Sequence, residues 1–493
     1  MVLRDGVTAV ASDPDRDAVY IVNSPSGTVT HTISLQPGDE PGRLVEDGAG
    51  RVQVALRSGG ALVTIDPVLG TVTARRAVCP APRGLAWDST TDSVWVACAT
   101  GELVALPSAG GAATTNWTVE RDLRDIVVSN GSLSVTEFRS AQVLRLGAAG
   151  AIARRDVIPQ DGAFVPHVAW RAVVGPSQSM VIAHQGHSTQ NIQTITPGGY
   201  GANGPGAIEA ECTTMAPDGT ILASVDLNNL VLPVDIAVSP DQTFAAIVGA
   251  GNSFAAELSQ LAIVQLGTIV GGSAAPADAS APEPLVSPGS PSGFSPPSTT
   301  LQLARGEQAI AVAFDGGGHV LVQTREPAHL WVIPIQAGGA STGIWPMPIA
   351  APIVLSSVTR DDTGHDIFHT SAGSLIACAS CHPEGGDDGH VWTLNGQARR
   401  TPSLRGTIEG TAPYHWPGDE PDLPTLTNDV YTSRMSGQQL EAGQMTALAT
   451  WIQKIPTPPA PSWVDPAAAA RGAALFSRAD VGCDSCHSGV KFT

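Results

Sequence analysis

The chain has 493 residues, of which 42% are hydrophobic and only 14% charged. Its 45 acidic residues outnumber 26 basic ones, and the formal net charge of −19 argues against nucleic acid or an anionic membrane as a partner. Gly and Pro, at 53 and 39, favour turn-rich β structure and linkers over long helices, and no run of about 18 apolar residues is present to form a transmembrane helix.

The N-terminal two thirds repeat. A short apolar strand pattern recurs around Val10, Leu44, Leu85, Ile126, Val168, Ile236 and Val312, at intervals of 34, 41, 41, 42, 68 and 76 residues. Each copy is followed by a polar turn and a second β-rich strand, as in Ala18–Val22, Ser93–Ala97 and His319–Gln323. A period near 40 built from short strands predicts a β-propeller, and seven copies predict seven blades. The two long intervals predict insertions near 184–231 and 271–298, the second rich in Pro, Ser and Ala.

Beyond about Pro352 the β repeats stop and helix signals begin. Cys378-Ala-Ser-Cys381-His382 and, after the Pro-rich linker Ile455–Pro461, Cys483-Asp-Ser-Cys486-His487 share one spacing. Cys-x-x-Cys-His is the attachment site of c-type haem: two thiols add to the porphyrin vinyl groups and the adjoining histidine binds the iron. A zinc ribbon needs its cysteine pairs much closer together, and a thioredoxin-like dithiol needs a βαβ frame that is missing here. The expected organisation is therefore an all-β propeller over 1–350, a mainly α c-type cytochrome domain over 351–460, and the start of a second, incomplete one over 461–493. Two covalently bound c-type haems are the expected cofactors, held by Cys378, Cys381 and His382 and by Cys483, Cys486 and His487.

The sixth ligand of the first haem is expected to be Met435, which lies in a turn 53 residues after His382. A thioether favours ferrous iron and raises the potential. His369, His390 and His415 are its rivals, and a second imidazole would lower the potential instead. The distal ligand of the second haem is not legible. Because c-type haem is attached outside the cytoplasm, a periplasmic or otherwise extracytoplasmic location is expected. Met1-Val-Leu-Arg-Asp5 has no apolar stretch of a secretory signal, and the chain stops six residues after His487. It reads as a fragment, with the signal or lipoprotein anchor lying outside it.

Other signals read more plainly. Gly199-x-Gly201-x-x-Gly204 matches a dinucleotide fingerprint, but Pro205 follows at once and a loop is expected. Glu384, Asp387 and Asp388 have the chemistry to hold calcium, yet nothing supports it, and a solvated turn is expected. His167, His184 and His187 fall near the fifth blade without a register repeated in the other blades, so no propeller metal site is expected. Trp392 and Trp416 are read as packing residues rather than an electron path. Cys79 and Cys98 are either a disulfide or two small buried residues, beside a third free cysteine, Cys212.

Several stretches resemble the bacterial di-haem cytochrome c peroxidase family. Gly364-His-Asp-Ile-Phe368 and Gly472-Ala-Ala-Leu-Phe476 are similar to the short helix ahead of each motif. Thr401-Pro-Ser-Leu-Arg405, Thr411-Ala-Pro-Tyr-His415 and Thr425-Leu426 are similar to the stretch leading to the axial methionine, and Cys486–Thr493 matches the run after a haem motif. The resemblance covers about a quarter of the chain. It implies that one His/Met haem shuttles electrons while the other reduces hydrogen peroxide. In that family the Thr-Pro-Ser-Leu-Arg stretch follows the second motif, whereas here it follows the first. Either the haem roles are exchanged, or each domain carries its own copy. The alternative is a non-catalytic electron-transfer module whose propeller binds a substrate or dehydrogenase partner, with a small cytochrome or cupredoxin as redox partner. A catalytic propeller like that of quinohaem amine dehydrogenases ranks lowest, since no quinone-forming residues are recognisable.

Overall fold

The structure is a computed structural model that describes residues 1–194, 198–201, 206–227, 230–251, 260–266, 299–301, 303, 306–337, 344–346 and 351–487. The Pro/Ser/Ala-rich stretch 271–298, Gly204-Pro205 and the terminal residues 488–493 lie outside the described residues.

Among the described residues, seven antiparallel sheets follow one another along the chain. Their first strands are Thr8–Asp13, Pro41–Glu46, Pro82–Asp88, Leu123–Ser129, Phe164–Val174, Pro233–Val238 and Ala309–Phe314. All seven recurring apolar positions fall in these strands, one in each.

The sheets close into a propeller-like ring. Successive side chains of a strand point to opposite faces, and here both faces are apolar. In the first sheet Val10, Val19 and Ile21 pack with Val52 and Val54 of the second. Ala9, Ala11, Tyr20 and Val22 face the other way, onto Leu321 and Leu330 of the seventh. The same alternation builds an apolar cluster between each further pair of neighbours. Burying one Val or Ile side chain contributes roughly 1.5–3 kcal/mol, so the ring is held by its sheet-to-sheet seams. Cys79 and Cys98 form a disulfide within the third sheet's seam.

The excursion from the fifth sheet is shorter than the sequence interval indicates. Met180–Ser188, Ile208–Met215 and Ile221–Asp226 are the sheet's second, third and fourth strands, and the described residues 189–194, 198–201, 206 and 207 lie outside it. The seventh sheet takes Ile353–Ser356 as an antiparallel partner of Ala328–Ala337.

After it come short helices: α1 (Thr363–His369), α2 (Cys378–Cys381), α3 (Leu423–Thr427), α4 (Ala442–Gln453) and α5 (Pro466–Phe476). Asp362 caps α1, accepting the Gly364 and His365 N–H groups, and Asp465 caps α5, accepting the Ala467 N–H. This part is less helical than the sequence predicts. Val391–Leu394 and Gln397–Arg400 form a hairpin, joined in parallel by Asn191–Ile192 of the excursion. Its turn is Asn395-Gly396, with φ of 49° and 75°, the pairing a two-residue hairpin turn demands. One core spans the helices and the ring, with Phe368, Met435 and Leu448 packed against Phe138, Trp170 and Leu232.

Candidate functional site

Cys378, Cys381 and His382 sit on and just past α2, a single turn of helix. The Ser380 hydroxyl accepts the Ala377 N–H at 3.1 Å, and the Ser380 carbonyl accepts the Gln185 side chain of the fifth sheet at 3.3 Å. The His382 N–H donates to the Cys378 carbonyl at 2.9 Å, which continues the turn. Two intervening residues in a helical turn bring both thiols to one side, with the imidazole directly after them. Both thiols are free. Burial pushes Cys378 up to about 12 and Cys381 well above the ordinary thiol value, so neither is a ready thiolate. His382 Nδ1 lies 3.2 Å from the Gly386 carbonyl, and the Pro402 carbonyl also acts on the ring; in the tautomer that donates from Nδ1 to Gly386, Nε2 keeps the lone pair.

These three residues line an apolar cavity together with Met435. Phe368, Trp392, Leu404, Leu423, Tyr431 and Leu448 form much of its wall, and the excursion from the fifth sheet contributes Ile192, Tyr200 and Ala207. Met435 is 3% exposed. It ends a π-helical turn, Asn428–Arg434, that follows α3 without a break; such turns concentrate at functional sites. Its N–H donates to the Val430 carbonyl at 2.9 Å, and its carbonyl accepts the Ser374 N–H at 3.0 Å. The excursion braces the same turn through Gly198 and Tyr200, whose N–H groups donate to the Ser433 and Arg434 carbonyls at 2.7 and 3.0 Å.

The cavity separates the four ligand candidates. His415 reaches it, but its Nδ1 pairs with Asp419 at 2.9 Å and its Nε2 accepts from Arg434 at 3.2 Å. His369 stacks on His365 with ring centroids 4.0 Å apart, against Trp451 and away from the cavity. His390 faces His167 at 3.1 Å. Met435 alone of the four is a cavity-lining side chain with no competing hydrogen bond.

The acidic residues after the motif are not a solvated turn. Glu384 pairs with Arg83, Arg124 and Arg405, Asp387 with Arg139 and Arg400, and fully buried Asp388 accepts from Trp392 and the His390 N–H. Trp392 is buried on the cavity wall, while Trp416 is largely exposed. Arg399 and Arg400, at the end of the hairpin, also line the cavity. The Asn-Gly turn was the sequence signal for them, since it fixes the hairpin that carries them to the wall.

Cys483, Cys486 and His487 lie in a short turn after α5, with Cys483 half-buried and the other two exposed. No side chain of α5 is buried, and the Phe476 and His487 rings stand 6.3 Å apart.

A porphyrin fits the first site's donor set: two free thiols, a histidine with an available Nε2, a buried thioether, apolar walls and two arginines for anionic edges. No protein-family model matches the chain, and no curated protein is detectably similar. Among solved structures, Kuenenia stuttgartiensis hydrazine synthase matches at a TM-score of 0.50 with 13% identity, covering 68% of this chain and 96% of that one. Virginiamycin B lyase from Staphylococcus aureus gives 0.43 at 12% identity over 66% and 94% of the two chains. Kluyveromyces lactis Hsv2 gives 0.45 at 12% over 71% and 97%. The first supports the propeller-like fold and no more.

Proposed function

We propose that this chain is an extracytoplasmic c-type cytochrome that relays electrons, with a seven-bladed propeller as the platform for its haem segments. The observation that carries this reading is the meeting of Cys378, Cys381, His382 and Met435 on one apolar cavity. A bound haem would supply one-electron redox chemistry at that site. Cys378 and Cys381 would tether it, His382 and Met435 would supply its iron ligands, and the buried wall would exclude water. With Met435 bound as well as His382, the iron would be closed to exogenous ligands, which would suit electron transfer rather than substrate turnover. A small cytochrome or cupredoxin is the proposed redox partner.

Producing the chain in a host that matures c-type cytochromes tests this. The expected product carries two covalent haems by mass, and its ferric form shows the weak far-red band of sulfur ligation. A colourless product of unmodified mass rules the proposal out.

The finer reading is reduction of hydrogen peroxide at the second centre, held by Cys483, Cys486 and His487, with electrons from the first. It rests on the resemblance to di-haem cytochrome c peroxidases. Peroxide-dependent oxidation of a reduced cytochrome supports it, and haems that bind no exogenous ligand in any redox state reject it.

A further inference from the structure

Three histidines outside the cavity meet where the fifth sheet touches the segment after α2. His167 and His187 stand on neighbouring strands, Phe164–Val174 and Met180–Ser188, and His390 immediately precedes the hairpin. One ring nitrogen from each lies within 4.8 Å of the others.

The hydrogen bonds fix two tautomers. His167 Nδ1 lies 2.7 Å from the Arg139 carbonyl and 3.2 Å from the Asp388 carbonyl, both acceptors, so it carries the proton. His390 Nε2 lies 3.2 Å from the Ser188 carbonyl and carries the proton for the same reason. The nitrogens left over, His167 Nε2 and His390 Nδ1, face each other at 3.1 Å. In the neutral rings both are lone-pair acceptors with no hydrogen between them. Among the described residues, fully buried His187 has no hydrogen-bond partner on either ring nitrogen.

Two imidazole lone pairs therefore face each other beside a third, fully buried ring, an arrangement that is unfavourable unless a cation takes them up. Protonating a ring would also relieve it, but burial opposes that charge. Two nitrogens about 2.0–2.1 Å from a tetrahedral zinc stand roughly 3.3 Å apart, close to the His167–His390 separation. The Asp388 carboxylate, 3.6 Å from His187 Nδ1, offers a counter-charge. The Trp392 ring stacks on His187 at 5.1 Å and walls the site off from the cavity it lines on its other side.

We propose that His167, His187 and His390 bind one divalent transition-metal ion of the zinc–copper class, stapling the ring to the segment that carries Cys378 and Cys381. Neutral imidazoles suit that class. The site needs no haem, so it stands or falls apart from the function proposed above.

The test uses the full chain, stripped with a chelator and titrated separately with Zn²⁺ and Cu²⁺. Metal is counted by mass spectrometry after desalting, and folding is checked by circular dichroism. One equivalent retained by the wild type, with affinity lowered at least about tenfold in both His187→Ala and His390→Gln, is the expected result. A His319→Ala control, on the seventh sheet, keeps wild-type affinity. No retained equivalent, or equal retention in both variants, overturns the proposal. Should the variants not fold, electron paramagnetic resonance of Cu²⁺-loaded wild type decides: nitrogen splitting from several imidazoles upholds the site, and an oxygen-dominated spectrum overturns it.

Discussion

Glu384 and Arg124 are 260 positions apart in the chain, yet the carboxylate lies 2.6 Å from the guanidinium. Arg83 and Arg405 reach the other carboxylate oxygen at 3.1 and 3.2 Å. Arg83 and Arg124 belong to the first strands of the third and fourth sheets, and Glu384 stands two residues after His382. Burial would raise the Glu384 pKa, but attraction to Arg124, Arg83 and Arg405 overrides it and holds the carboxyl well below its usual range. One acidic side chain thus plugs the segment bearing the first motif onto the ring.

Removing it leaves three half-buried guanidinium groups facing one another. Glu384→Ala should cost about 1–3 kcal/mol of stability, less than the deletion of one partner of a fully buried ion pair. Glu384→Gln, which keeps hydrogen bonding, should cost less. Denaturant unfolding checks both, and limited proteolysis near residues 357–362 should show earlier cutting in the alanine variant. Unchanged unfolding would mean the plug does not hold the two parts together.

A pH effect of opposite origin sits in the fifth sheet. Burial, reinforced by Glu209, Asp161 and Asp226, pushes Glu211 up to about 8. Burial with Asp226 and Asp161 pushes Glu209 up to about 7. A carboxyl that holds its proton more tightly folded than unfolded stabilises the fold fully below its unfolded value of about 4.3. That stability fades as pH rises through the folded value. Stability should therefore fall between pH 5 and pH 8, by on the order of 1–3 kcal/mol. Glu211→Gln should flatten the slope and be the more stable protein at pH 8. Parallel pH profiles for the two proteins would count against this account.

If Met435 ligates a haem, the Met435→His variant should replace the far-red sulfur band with a bis-histidine spectrum. Its potential should drop by on the order of 0.1 V, since axial ligands set haem potentials over a range of about 0.8 V. His415→Ala should leave band and potential in place, because His415 is already engaged by Asp419 and Arg434. Loss of the band in His415→Ala instead would reassign the ligand.

The ring was legible because its physics is local. An apolar strand followed by a polar turn repeats at each of Val10, Leu44, Leu85, Ile126, Val168, Ile236 and Val312, whatever lies far away. Cys378, Cys381 and His382 were legible because their spacing fits within one helical turn. Met435 needed only a plausible distance along the chain. Glu384 and His390 were not legible in these roles. Glu384 meets arginines about 300 and 260 residues upstream, and His390 meets His167 across 223 residues. Neither partnership leaves a trace in local periodicity. A histidine register repeated blade by blade does not reveal a cluster that takes its third member from outside the ring.

Gly364 and Gly472 occupy matching places, in the helix ahead of each Cys-x-x-Cys-His motif, but their surroundings differ. A Cβ on Gly364 would fall 2.3 Å from the Ala447 carbonyl oxygen and 2.6 Å from the Trp451 Cβ, because α1 crosses α4 at that point. One on Gly472 would meet nothing within 4 Å. Gly364→Ala should therefore cost about 1–3 kcal/mol, as forced overpacking does, and should loosen the wall that Phe368 and Leu448 give the cavity. Gly472→Ala should be neutral or stabilising by up to about 1 kcal/mol, the helix preference for Ala over Gly. Thermal unfolding of the two variants side by side checks this. If Gly472→Ala proves as damaging as Gly364→Ala, α5 is packed against a partner element as α1 is against α4.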